Sequence, residues 1–325
     1  MKNKRILLTG VCGMIGSHIL DELLERGETV VGVDNLSYGK MENIKARLGH
    51  PRFTFHKMDI SDTKKLRKIT GKADIVLHLA AVKKIGEKDP SLATLMGSAV
   101  ATESVLRVAR DCGAKVIVGS TSDIYGTSAS LPFREDGDSV IGPSTAKRWA
   151  YAVSKLFCEH LAMSYYKDYG VPVVILRYFG CFSERSSTSW SGGHIPIFID
   201  SILKGKAVEI HGDGKQTRSM AHASDIIRGT LLAMDSPRAI GEIINLGNDE
   251  EVSVLDSAKM IHKLADVKKP LKVRFIPMKK IFGTYKEIQR RTPSLVKAKT
   301  VLGYAPKVKF KDALLRVIKN RKADL

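Results

Sequence analysis

Between residues 6 and 24 the chain passes from a strand into a helix through three glycines at fixed spacing. Ile6-Leu-Leu is a short apolar run, and Thr9-Gly10-Val-Cys-Gly13-Met-Ile-Gly16 follows it as GxxGxxG. Ile15, Ile19, Leu20, Leu23 and Leu24 then share one helical face up to Gly27. Glycines in such a turn let the backbone bend tightly and bring N–H groups against a pyrophosphate, with the positive end of the helix aimed at the same anion. The expected cradle is Gly10, Gly13, Met14, Ile15 and Gly16. Asp34 ends the next strand, Thr29 to Val33. A carboxylate there accepts hydrogen bonds from the adenosine ribose and repels a 2′-phosphate, so NAD is expected rather than NADP. Asn35, Asp59 and Ile60 complete the expected adenosine end.

Further apolar strands, Phe53–Phe55, Asp74–Ala80, Lys115–Val118 and Val173–Leu176, alternate with crossover-length helices near 91–112 and 150–169. That alternation predicts an α/β fold with a doubly wound parallel sheet covered on both faces. A chain of 325 residues has room for about two domains. The expectation is a dinucleotide domain over 1–178, with segments near 220–246 returning to it, and a smaller α/β lobe over 179–325. In that lobe, helices are expected over Ser253–Leu264, with Ser253 as N-cap, and around Phe310–Ile318.

Composition excludes several classes. With 43% hydrophobic and 27% charged residues the chain is neither disordered nor a coiled coil. No uninterrupted apolar run approaches the ~20 residues of a membrane span. The basic start, Met1 to Arg5, precedes too short an apolar run for a signal peptide, so a cytoplasmic location is expected. Four cysteines lie far apart and nine histidines show no metal-ligand spacing, so no metal is expected. The net charge is +19, and residues 251–325 hold 20 Lys and Arg against 6 Asp and Glu. Such a surface attracts polyanions, but no nucleic-acid motif accompanies it, and nucleic acid is not the expected partner.

Tyr151-Ala-Val-Ser-Lys155 puts a phenol and an ammonium four residues apart, on one face of a helix. The Lys155 cation, together with a positively charged nicotinamide, is expected to favour the phenolate. Tyr151 then takes a proton from a sugar hydroxyl while a hydride leaves the same carbon.

GxxGxxG, His78-Leu-Ala-Ala81, Ser120-Thr-Ser-Asp-Ile-Tyr-Gly126 and YxxxK occur in that order. Together they resemble the extended short-chain dehydrogenase/reductases, the NAD-dependent nucleotide-sugar epimerases and dehydratases. Arg177-Tyr-Phe179, Ile195-Pro-Ile-Phe198 and Gly212-Asp-Gly-Lys-Gln-Thr-Arg-Ser219 resemble that family's substrate lobe. The resemblance implies a Rossmann domain, tightly held NAD contacted also by Leu79, Ala80 and Ala81, a UDP-sugar or related substrate, and a homodimer built through a four-helix bundle. By position it implies that Thr121 hydrogen-bonds the hydroxyl being oxidised, with Ser122 beside it. It also implies that Arg218 grips the diphosphate near Gln216, and that Lys83 and Arg291 close on the sugar. Arg185 matches an arginine that lies near the sugar carboxylate in uronate epimerases. The loop Ser186–His194 is expected to cover the sugar, with Trp190, His194 or Ile195 at its edge.

Asp123 stands where UDP-glucuronate decarboxylases and GDP-mannose dehydratases typically carry Glu, and where 4-epimerases carry a small or neutral residue. Gly180 replaces an Asn of the family pattern, and Glu184 a Pro. The expected reaction is 4-epimerisation of a UDP-hexose or UDP-hexuronate through a 4-keto intermediate. The alternatives are 4,6-dehydration or UDP-glucuronate decarboxylation using Asp123, and, more distantly, an NAD-retaining module that binds polyanions.

Overall fold

The structure is a computed structural model and describes residues 3–83, 91–188, 193–282 and 287–323. Trp190 and the end of the Ala80–Glu87 segment lie outside the described residues. The first half runs β1 (Arg5–Thr9), α1 (Met14–Glu25), β2 (Thr29–Asp34), β3 (Phe53–Lys57), α2 (Thr63–Thr70), β4 (Ile75–His78), α3 (Ser91–Cys112), β5 (Lys115–Thr121), α4 (Ala150–Tyr169) and β6 (Val173–Tyr178). After β7 (Cys181–Phe182) come α5 (His194–Leu203), β8 (Val208–His211), β9 (Thr217–Ser219), β10 (Ala221–His222), α6 (Ala223–Asp235), β11 (Ile243–Leu246) and β12 (Glu251–Ser253). The chain ends with α7 (Val254–Leu264), β13 (Val273–Ile276), α8 (Met278–Phe282), β14 (Arg290–Arg291), α9 (Val296–Leu302) and α10 (Phe310–Ala323).

Seven strands form one parallel sheet in the order β11-β6-β5-β4-β1-β2-β3. Crossing from β3 back to β1 and then outward through β4 reverses the winding, so a crevice opens where β1 and β4 diverge, the ligand position of a doubly wound Rossmann sheet. Ile6, Leu8, Val30, Ile75, Leu77 and Ile117 face α1 and α6 on one side. Leu7, Val31, Val76, Val116, Val118 and Val173 meet α2, α3 and α4 on the other. Burial on both faces is why these strands read as unbroken Ile/Val/Leu runs.

The smaller lobe has its own core, in which Phe182, Ile195, Phe198, Ile261, Phe310 and Leu314 join α5, α7, α10 and β8. Ser253 caps α7 by accepting from Asp256 N at 3.0 Å. Segments of the second half return to the sheet: α6 packs on α1, and β11 pairs with β6. A further return, over α9, has no counterpart in the sequence reading. Ala298, Leu302 and Tyr304 are buried with α6 and β11, and the Tyr304 hydroxyl donates to Gly247 O at 2.7 Å.

α3 is the one described helix long and apolar enough to cross a membrane by length and composition, yet half of its apolar window is buried inside the protein. Its remaining apolar residues, Leu92, Met96 and Val100, are exposed at four-residue spacing, and Val153 and Phe157 are exposed on the adjoining α4.

Candidate active site

The glycine cradle is built as its spacing demands. Gly10 has φ +73°, and a Cβ there would stand 2.8 Å from Ala80 N. A Cβ on Gly16 would collide with the Gly10 carbonyl oxygen. Gly13 is the N-cap of α1 with no side-chain cap bond, so Met14 and Ile15 open the helix with free amide donors. Asp34 is buried, and its two carboxylate oxygens accept from Cys12 N (3.0 Å) and Leu36 N (2.8 Å). Burial pushes its carboxyl up, and these backbone bonds oppose the shift. Asn35 Nδ2 donates to Asp59 Oδ2 at 3.2 Å, and Ile60 is buried beneath. Backbone donors, a helix N-terminus and an acidic strand end fit a dinucleotide with a free ribose diol, as NAD has.

The 79–81 segment is held by a clamp absent from the sequence reading. Thr9 Oγ1 accepts from Leu79 N and Ala80 N, both at 3.2 Å, and bonds to His78 Nδ1 at 2.9 Å. His78 Nε2 reaches Thr102 Oγ1 on α3 at 3.1 Å. Burial and then the Lys155 charge push its imidazole down to about 3, so the ring is neutral.

β5 ends in Thr121, and the Ser122–Tyr125 turn follows at the sheet's carboxyl edge. Ser122 is buried inside this turn rather than in the cavity wall. Behind it, Arg177 forks onto Glu159 of α4 at 2.8–3.2 Å and donates to Tyr125 OH at 3.0 Å. This buried pair ties α4, and with it Tyr151, to β5 and β6. Lys155 Nζ donates to Gly119 O at 2.6 Å. Burial lowers its pKa, against the nearby Cys158 and Glu159.

Burial raises the Tyr151 phenol above its ordinary value and the Asp123 charge adds to this, while Arg148 and the Thr121 hydroxyl pull it down. Lys155, expected to be the lowering cation, gives one of its N–H donors to the Gly119 carbonyl. The four-residue spacing places both residues on one helical face but leaves the long lysine arm free to choose another acceptor.

A cavity between the sheet edge and the lobe is lined by Lys83, Asp123, Arg148, His194, Gln216, Arg218, Glu287 and Arg291, among others. At one end Asp123 Oδ1 accepts from Arg291 Nη1 (2.8 Å) and Arg148 Nη2 (3.2 Å), and Thr121 Oγ1 stands 3.3 Å from Oδ2. Burial would raise the Asp123 carboxyl, but Arg291, Arg148 and Lys83 overcome it and hold it far below the usual carboxylate range. Lys83 Nζ lies 6.0 Å from the Tyr151 ring centroid. At the other end Arg218 pairs with Glu287 and donates to Ile288 O at 2.9 Å. Gln216 Nε2 donates to His211 O at 2.7 Å. His194 packs edge-on against Phe198, and burial followed by the Arg218 charge pushes it down to about 3. Strand β14 pairs in register with β9, setting Arg291 beside Arg218.

Besides Ser122, two expected substrate residues lie elsewhere. Arg185 is not in the cavity lining; it turns to α1 and pairs with Asp21 at 2.6 Å. Ile195 is fully buried in the lobe core, as an apolar side chain at the start of an amphipathic helix must be. Arg148 and Glu287 were not foreseen. Arg148 had a signal, its place three residues before Tyr151; Glu287 had none. Gly180 also has a physical reason here, since a Cβ at that position would run into Met220 Sδ.

A model of the NAD dependent epimerase/dehydratase family matches residues 6–247. A UDP-N-acetyl-alpha-D-glucosaminuronate decarboxylase of Bacillus cytotoxicus is 34% identical over 97% of this chain and 97% of its own. UDP-glucuronic acid decarboxylase 1 of Danio rerio is 31% identical over 97% of this chain and 72% of its own. The crystal structure of UDP-glucuronic acid 4-epimerase from Bacillus cereus, in complex with UDP-glucuronic acid and NAD, is 30% identical with a TM-score of 0.88, covering 99% of this chain and 100% of that one. The dinucleotide cradle, the Tyr151–Lys155 helix and these likenesses agree: the chain belongs to the NAD dependent epimerase/dehydratase family and is an NAD-dependent enzyme of nucleotide-sugar chemistry.

Proposed function

We propose that the protein decarboxylates a UDP-hexuronate through a 4-keto intermediate. The observation that carries this reading is the convergence of three cations, Lys83, Arg148 and Arg291, on one described carboxylate, Asp123, at the end of the cavity beside Tyr151. A buried cluster with that balance accommodates an anionic sugar better than a neutral one. Arg291 Nε, buried and without a hydrogen-bond partner among the described residues, is a spare donor in that cluster. Support also comes from the two decarboxylases of uronic acid sugars that align along nearly the whole chain.

Arg218 and Gln216 hold the diphosphate end, which sets the sugar against Tyr151 and Thr121. Thr121 hydrogen-bonds the 4-hydroxyl and Tyr151 takes its proton. Held at the Gly10–Gly16 turn with Asp34 at its ribose, NAD would supply the hydride acceptor for oxidation at C4 and the donor for its reversal. The resulting ketone stands β to the sugar carboxylate. The bond from C5 to the carboxyl carbon breaks, CO2 leaves, and the electron pair passes into an enolate whose oxygen is hydrogen-bonded by Thr121 and the now neutral Tyr151. C5 then takes a proton from solvent water, and Tyr151 returns its proton to the C4 oxygen as the ketone is reduced again. Asp123, fixed as an anion by two arginines, acts through its charge and not as the proton carrier.

A second reading, 4-epimerisation of the same substrate, draws on the likeness to the UDP-glucuronic acid 4-epimerase. Mass spectrometry of UDP-glucuronate and UDP-N-acetylglucosaminuronate incubated with protein and NAD separates the two. Loss of CO2 is expected; an isomer of unchanged mass would replace decarboxylation by epimerisation.

The exposed apolar stripe Leu92, Met96, Val100, Val153 and Phe157 further supports a homodimer in which α3 and α4 of two copies pack as four helices.

A further inference from the structure

Tyr151 is asked to serve as a base while lying within the field of a permanent negative charge, Asp123. The groups facing it come from several elements. Asp123 and Thr121 stand at the end of β5, Lys83 follows β4, Arg291 lies on β14, and Arg148, Lys155 and Cys158 surround it on or just before its own helix. Lys155 Nζ is engaged by the Gly119 carbonyl at 2.6 Å. Arg148 occupies the 3-10 turn Lys147–Trp149 that runs straight into α4, three residues ahead of Tyr151. That turn is fixed by Trp149, whose side chain is buried with Ala146, Ala152 and Ile288. From this anchored position the guanidinium reaches Asp123 Oδ1 at 3.2 Å and faces the cavity.

We propose that Arg148 is a positioning residue for the reaction: delivered by the turn that starts the Tyr151 helix, its charge screens the phenol from Asp123 and keeps Tyr151 usable as a base. The inference rests on the reading of Tyr151 as the base. Arg291 pairs with the same carboxylate oxygen at 2.8 Å, but it comes from β14, whereas Arg148 sits in the turn that runs into the helix carrying the phenol. An opposite charge near a phenol favours its ionised form, and a carboxylate opposes it. The Arg148 charge lowers the Tyr151 pKa and the Asp123 charge raises it, in keeping with this placement.

The test is the pH dependence of kcat and KM for UDP-glucuronate turnover by the full-length protein with NAD, in wild type, Arg148→Met, Arg148→Lys and Arg148→Met/Asp123→Asn. In Arg148→Met the rising limb of kcat moves about one pH unit upward, a loss of about tenfold at neutral pH that is recovered at high pH. Arg148→Lys restores most of the lost rate. The double variant, with both charges gone, returns the limb towards its wild-type position, and the rate Arg148→Met recovers at high pH shows that it is folded. A loss equal at all pH values, or one carried by KM alone, overturns the inference by making Arg148 a structural or substrate-binding group. Tyr151→Phe distinguishes failure of the underlying reading: if that variant turns over, the base assignment falls and the inference with it. If Tyr151→Phe is inactive and the Arg148→Met limb is unmoved, only the inference falls.

Discussion

Arg291 Nη1 lies 2.8 Å from Asp123 Oδ1, joining the carboxyl end of the fifth sheet strand to a two-residue strand 168 positions further along the chain. The contact closes the sugar end of the cavity and makes Asp123 a fixed anion. A carboxylate held this way carries charge but is a poor proton donor. Asp123→Asn is therefore expected to lower kcat by about tenfold, short of the ~10²–10⁴ that removal of an acid/base group costs. Steady-state kinetics checks this, and a loss of 10⁴ would restore Asp123 to proton transfer.

Arg291→Met removes the closer of the two arginines and leaves the buried carboxylate with Arg148 and Lys83. Because an unpaired buried charge is costly but a second arginine remains, the expected destabilisation is about 1–3 kcal/mol. Thermal melting reads it. A melting temperature equal to wild type would mean that the pair contributes nothing to the fold.

Stability is expected to fall below pH ~6.5. His78 and His194, pushed down to about 3 in the folded chain, have an unfolded value near 6.5, so below that pH the unfolded chain binds more protons. Their contribution is complete above ~6.5 and is lost as pH falls towards 3, amounting to about 2 kcal/mol each by pH 5. Asp123, depressed in the folded state, adds its own loss below about pH 4. Melting temperatures measured from pH 7.5 to 4 should decline throughout; a flat profile between 7 and 5 would show that these rings are protonated without cost.

Lys115 Nζ donates to Ala233 O, Met234 O and Ser236 O at 2.8–2.9 Å, closing the C-terminal end of the α6 helix from the neighbouring sheet strand. Lys115→Met strips three carbonyls of a charged donor and is expected to cost about 1–3 kcal/mol. Hydrogen exchange should show the loss as faster opening of residues 223–236, and unchanged protection there would contradict it.

Much of the fold was legible because its signals are local. Runs such as Ile75-Val-Leu and Val173-Val-Ile-Leu are what a parallel sheet covered on both faces requires, and Gly10 and Gly16 sit where a side chain would collide with the backbone. Ser253 and Asp256 gave the start of the α7 helix for the same reason. What escaped was long-range. Arg185 meets Asp21 across 164 residues, and Glu287 meets Arg218 across 69, pairings that no spacing encodes. The return of Ala298–Tyr304 to the sheet domain was hidden because its seven-residue helix is too short to show an apolar periodicity. Lys155 shows the limit of a correct pattern: the helix face was right, and the ammonium's acceptor was a backbone carbonyl.

The proposed four-helix interface makes the α3–α4 stripe an oligomer determinant. Phe157→Glu places a charge at its centre and is expected to convert a dimer to a monomer in light scattering. A wild-type protein that is monomeric at micromolar concentration would dismiss the interface.

The central claim is that Tyr151 removes the proton that starts oxidation at C4. Stopped-flow absorbance of wild-type and Tyr151→Phe proteins, mixed with NAD and UDP-glucuronate, tests it most directly. A transient rise in reduced nicotinamide in the wild type, absent from the variant while NAD binding persists, is the predicted result. Equal transients in both proteins would contradict the account.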